Sequence, residues 1–177
     1  MISNSSPLIA FGKVNRLELL LKMFGKIEIT ESVYDEVVKK GKEFNKSEAF
    51  LIEEYIQKGH IKIMKLIGEY ERKSSFLIES NLALDKGECD TLALALQEKK
   101  KNVLMDEKIA RKVARLYEIS PIGVLGILLL CYRKNFVSEK EIREIVEKLV
   151  MGDFRFGAEV IHEFWRMLER VKGRRIT

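Results

Sequence analysis

Two cysteines, two histidines, two prolines and two glutamines in 177 residues already remove several kinds of protein from consideration. Cys89 and Cys131 lie far apart with no C-x-x-C spacing, which argues against a disulfide framework or a thiolate zinc site and for reduced core thiols. His60 and His162 stand alone, so a histidine-ligated metal is not expected. The longest apolar run, Ile122 to Tyr132, is about half the ~20 residues of a membrane-spanning helix, so no membrane partner is expected. Ile2 to Pro7 break any apolar run at the start, so no signal peptide is read and a cytoplasmic location is expected. No G-x-G-x-x-G follows the first strand, which argues against a dinucleotide-binding protein. Repeats, linkers and low-complexity segments are absent, and one domain over residues 1–177 is predicted. Scarce glutamine beside abundant lysine and glutamate fits a thermophilic source.

What is present is a hydrophobic content of 46%, enough for one well-filled core, beneath a heavily charged exterior. The net charge of +5 has two readings. One is a solvated basic surface; the other is a polyanionic partner such as RNA, bound through counterion release.

Short β-prone runs alternate with helical ones. Met1–Asn4 reads as a strand, and Ser5-Ser6-Pro7 opens a helix with hydroxyl caps and proline in the first turn. A second helix runs from Leu17 to Phe24 and stops at Gly25. Ile27–Thr30 alternates as a strand, and Thr30 caps the helix bearing Val33, Val37 and Val38. Gly41–Lys46 is predicted to be a charged turn, followed by a helix closed at Gly59 and a strand at Ile61–Met64. A polar connection from Gly68 to Asn81, helical in part, leads to Asp85. Val103–Met105 is a buried strand, Ile109–Leu116 a helix with a basic face, and Ile119–Ile122 an edge strand that tolerates Pro121. Val124–Cys131 is an apolar helix for the core or a subunit interface, and Glu139–Leu149 is amphipathic. A glycine-flanked loop, Met151–Gly157, precedes an aromatic helix and a basic tail through Arg175. This rhythm predicts an α/β fold: a three-layer α/β/α sandwich on a short parallel sheet, with extra C-terminal helices from about residue 138.

Asp85 followed by Glu88 forms a capping box ahead of an apolar helix. In a parallel sheet, ligands bind beyond the C-terminal strand ends, where strand order reverses. Asn4, Thr30 and Asp106 sit at such ends, Glu36 lies just into a helix, and Glu88 opens another, so their oxygens can converge. Hard oxygen ligands without His or Cys select Mg²⁺ or Mn²⁺. Each acid also has a plainer reading: Glu88 and Asp106 as helix caps, Glu36 as a solvated helix acid, Asp90 as structural. Arg111 and Lys112 are a solvated face or phosphate contacts.

Together the segments ISNSSPLIAFGKVNRLELL, ITESVYDEVV, LDKGECDTLALAL and LMDEKIARKVA resemble PIN-domain proteins, closest to the small toxin-like branch, up to about Leu130. The resemblance implies a Mg²⁺- or Mn²⁺-dependent ribonuclease, the toxin of a pair with a small antitoxin, acting on RNA as a homodimer. It places Asn4 where the family has its first aspartate, and Glu36, Glu88 and Asp106 on the following acids. Glu107 falls on a further acid, and Ser6 on the small hydroxyl residue. Asn4 departs from the pattern, because an amide oxygen can ligate a hard cation but carries no full charge. The alternative is therefore a PIN-like module that binds RNA or a protein without cutting.

Overall fold

The computed structural model describes residues 1–80, 83–152 and 154–173. Five strands lie all parallel in the order β3-β2-β1-β4-β5. They are β1 (Ile2–Ser3), β2 (Ile27–Thr30), β3 (Ile61–Met64), β4 (Asn102–Leu104) and β5 (Ser120–Ile122). Ile2 pairs with both Glu28 and Val103, so β1 is the centre and the chain winds outward from it in two directions. The reversal falls between β1 and β4, and Asn4 N–H donates to Leu104 O at 2.9 Å across it. The α/β/α sandwich and its parallel sheet agree with the sequence reading.

Side-chain alternation builds a core on each face. In β4 and just beyond it, Val103 and Met105 face one core and Leu104 the other. The first core takes Ile27, Ile29 and Leu104 together with α1 (Ser5–Lys13), α2 (Glu18–Phe24), α5 (Ser47–Gln57) and α9 (Val124–Arg133). The second takes Ile2, Val103 and Met105 with α6 (Glu69–Ser80), α7 (Lys86–Gln97) and α8 (Lys108–Leu116). The apolar side of α9, including Ile127, Leu128 and Cys131, is spent in the chain's own core. The C-terminal helices α10 (Glu139–Met151) and α11 (Ala158–Gly173) deepen the first core through Ile142, Leu149, Phe164 and Leu168.

One local expectation changes, the charged turn at Gly41. The helix begun by α3 (Glu31–Tyr34), capped by Thr30, runs through a π-helical stretch at Asp35–Lys40 into α4 (Gly41–Glu43). Gly41 is therefore helical, and a Cβ there would stand 2.7 Å from Ala49 Cβ. Its missing side chain lets α5 pack against this helix, and a turn signal cannot be told from a packing glycine in sequence. The polar connection is helical from Glu69 to Ser80, because Ser74 and Leu77 give it a buried face on α7. Asn81, Asp153 and the basic tail from Arg174 lie outside the described residues. No helix among the described residues is long and apolar enough to cross a membrane.

Candidate metal centre

Asn4 ends β1 and caps α1, its Oδ1 accepting from Ser5 N–H at 2.7 Å, and only 3% of it is exposed. Ser5 Oγ in turn donates to Glu36 Oε2 at 2.5 Å. Glu36 lies inside the π-helical stretch, while its neighbour Asp35 points away to pair with Lys39. π-Helical turns are uncommon and gather at functional sites. Across from these, α7 opens with a complete capping box: Glu88 N–H donates to Asp85 Oδ1 at 2.7 Å and Asp85 N–H to Glu88 Oε2 at 2.9 Å. Glu107 caps α8 through its backbone alone, which leaves its carboxylate uncommitted to that helix.

These side chains meet. A cavity of about 280 Å³ is lined by Asn4, Ser5, Ser6, Glu36, Ala83, Asp85, Glu88 and Glu107. Four of the eight are carboxylates and none is Lys or Arg, so the wall is uniformly negative. Gly87 forms part of its lip. A Cβ there would lie 3.3 Å from Asp85 Oδ1 and 3.5 Å from both Asn4 Oδ1 and Glu36 Oε2. Three oxygens thus gather around one small space beside Gly87.

The chain's closeness of acids shows in Glu88, whose pKa is pushed up to about 7. Burial is the main cause, the Asp85 N–H opposes it, and the charges of Asp85, Glu107 and Glu36 add to it. Cys89, next along, is fully buried with its thiol pushed up to about 12, so it is packing and not a ligand. Asp90 is structural as expected, accepting from Ser74 Oγ at 2.5 Å and pairing with Lys86.

Asp106 has a different environment. It is not among the residues lining the cavity, and it does not cap the helix that follows it. Both its oxygens accept from Val124 N–H at 3.1 Å, so it caps α9 from 18 residues away. Its pKa is raised to about 6, chiefly by burial and against the pull of the Val124 N–H and Arg111. Arg111 is half-buried beside it, Nη1 donating to Met105 O at 3.2 Å. Gly123 makes room for this pair, since a Cβ there would stand 2.5 Å from Arg111 Nη1 and 2.7 Å from Asp106 Oδ1. Arg111 therefore serves the fold, and Lys112 is exposed on α8 away from the cavity. We expect Asp106→Ala to cost about 1–2 kcal/mol as a lost cap. In a melt that is a fall of roughly 2–8 °C, with ion affinity of the cavity changed less than by any lining acid.

The family model described as DUF3368, a PIN domain, matches residues 1–170. The chain belongs to the PIN-domain family. Among curated proteins, none matches the sequence. PIN domains are a nuclease-type fold that typically uses divalent metal ions. Within this PIN domain, Asn4, Glu36, Glu88 and Glu107 of the sequence-chosen residues are brought to one cavity together with Ser6. Three lining residues escaped assignment to the site, Ser5, Ala83 and Asp85. Asp85 was visible as half of a capping box, and that mutual geometry fixes it beside Glu88.

Among the described residues, no three Asp, Glu, His or Cys side chains are gathered closely enough to hold an ion by themselves. The donor set nevertheless suits Mg²⁺ or Mn²⁺, which keep several waters and need only one or two carboxylates from the protein. Glu36, Asp85 and the amide oxygen of Asn4 stand around the space beside Gly87, and Glu88 lines the same cavity.

Proposed function

We propose that this PIN domain is a Mg²⁺- or Mn²⁺-dependent ribonuclease that hydrolyses RNA phosphodiester bonds, as the toxin of a toxin–antitoxin pair. The observation that carries the reading is the cavity with four carboxylates, one buried amide oxygen and no basic side chain at the reversal point of the sheet. Such a wall repels a phosphodiester unless a cation enters with it, so it fits phosphate chemistry only as a metal centre. Glu36, Glu88 and Asn4 would hold the ion, with Asp85 and Glu107 beside them. When bound, the ion supplies Lewis acidity to the phosphoryl oxygens and acidifies a water.

The protein's own groups do the positioning. Ser5 Oγ fixes Glu36 Oε2, and the Asp85 N–H fixes Glu88 Oε2, so both carboxylates are held in place at the cavity. A groove of about 1010 Å³ continues from the cavity past Glu36 and Asp85, with Met64, Leu66 and Ile78 on its apolar side. Six acids and three lysines line it, which suits a cationic, partly apolar segment of an antitoxin.

Asn4 favours the second reading, a PIN domain that binds without cutting. Manganese-dependent cleavage of single-stranded and structured RNA separates the two. Aspartate caps a helix as well as asparagine does, so Asn4→Asp keeps α1 and adds a charge. We expect it to raise ion affinity or cleavage roughly tenfold, about 1.4 kcal/mol. No gain in either would remove Asn4 from the ligand set.

A further inference from the structure

RNA needs cations along its backbone as well as chemistry at one phosphate. Few are free near the cavity: of the three lysines in the adjoining groove, Lys40 alone has no ion-pair partner among the described residues. Arg111 is engaged with Met105 O and Asp106. In the adjoining groove, Lys65 pairs with Glu31 and Lys86 with Asp90, while Asp35 and Glu71 add further negative charge. A phosphate chain laid along that groove meets like charge.

The opposite, N-terminal edge of the sheet has the reverse character. There the strand starts are held side by side, Ile27 N–H donating to His60 O at 3.1 Å, the Met1 amine to Lys26 O at 2.9 Å and Ser120 N–H to Lys101 O at 2.8 Å. Lys26, Lys99 and Lys101 lie in the segments that lead into β2 and β4, and Lys62 is the second residue of β3, in register with Glu28; all four are exposed, and none has an ion-pair partner among the described residues. Helical lysines elsewhere, such as Lys39, Lys58 and Lys140, are paired four residues away. The edge's central acid, Glu28, is outnumbered: its Oε2 lies 3.8 Å from the Met1 ammonium and 3.9 Å from Lys100, with no hydrogen-bond partner. Positive charge therefore runs from β3 across β2 and β1 to β4, about 14 Å at the usual strand spacing.

We propose that this lysine edge, at the strand starts and away from the carboxylate cavity, is the surface that holds the RNA backbone. The proposal rests on the ribonuclease reading for the identity of its polyanion. The longer strands have four residues, so the sheet is about 13 Å deep, and an RNA anchored at the edge reaches the cavity within a few nucleotides.

The test is binding of a single-stranded RNA oligonucleotide in EDTA, followed by anisotropy across a salt titration. The triple variant Lys26→Gln, Lys62→Gln, Lys101→Gln is compared with Lys134→Gln, Lys140→Gln, Lys148→Gln, which removes the same charge from α10 and the end of α9. The edge variant should bind about 10- to 100-fold more weakly near 0.1 M salt, and its log–log salt slope should shrink by about 2. The control should stay within about twofold of wild type. Equal losses in both variants would reduce the effect to net charge and overturn the proposal, as would unchanged binding in the edge variant. Manganese-dependent cleavage on the same proteins separates the two readings. If wild type cuts RNA while the edge variant binds and cuts as well, only the lysine edge falls. If wild type neither binds nor cuts RNA, both fall.

Discussion

Glu88→Gln should abolish metal-dependent RNA cleavage, by about 100-fold or more, while leaving the protein folded. Glu88 is only 3% exposed, and its Oε2 accepts the Asp85 N–H that completes the capping box of α7. A glutamine keeps that acceptor, so the start of α7 survives. What disappears is a full negative charge in a cavity shared with Glu36 and Glu107. Residues that merely orient metal ligands cost 10- to 100-fold when replaced, so loss of a ligand charge should exceed that range. Calorimetric titration with Mn²⁺ and a cleavage assay on the same preparation check both halves. Wild-type turnover in the variant would show that Glu88 is a helix cap and nothing more.

The second large effect is on stability against pH. Metal-free protein should be several degrees more stable at pH 5.5 than at pH 8. Glu88 is raised to about 7 and Asp106 to about 6, in both cases chiefly by burial. A carboxyl whose folded value lies above its unfolded one takes up protons on folding. Its stabilising contribution is complete below the unfolded value and is lost as pH rises through the folded one. For Glu88, raised from 4.5 to about 7, the full contribution is about 3 kcal/mol at 1.36 kcal/mol per pKa unit, of which about 2 kcal/mol is lost between pH 5.5 and 8. A domain of this size would lose roughly 4–8 °C in Tm. Glu139, Glu141 and Glu163 are shifted down by their partners, so their losses fall at lower pH and do not mask the trend. Glu88→Gln should flatten the slope, and Mg²⁺ should restore stability most above pH 7. A flat profile for wild type from pH 5.5 to 8 would mean that burial does not hold these two carboxyls up.

Much of this was readable from residues alone, because local rules acted without competition. Thr30 and Asp85 both cap helices, and alternation in Ile27–Thr30 and Ile61–Met64 marked strands. What escaped depended on distant parts of the chain. Asp106 and Glu107 are adjacent acids just past β4, where strand alternation no longer dictates which faces the crevice. That choice is made by the N-terminus of α9, whose free Val124 N–H captures Asp106 and leaves the cavity to Glu107. Ser5 and Ser6 posed the same ambiguity. Both line the cavity, and only the fold brings Glu36 to the hydroxyl of Ser5. The π-helical stretch that holds Glu36 has no side-chain periodicity of its own.

The capping box at Asp85 and Glu88 has one further consequence. Each residue holds the other's backbone N–H, so closing the first turn of α7 and bringing these two acids together are a single event. A nascent chain therefore carries its acids scattered and inert until that turn closes. Glu107, synthesised afterwards, then adds the last wall, so the cavity is complete only once β4 has docked.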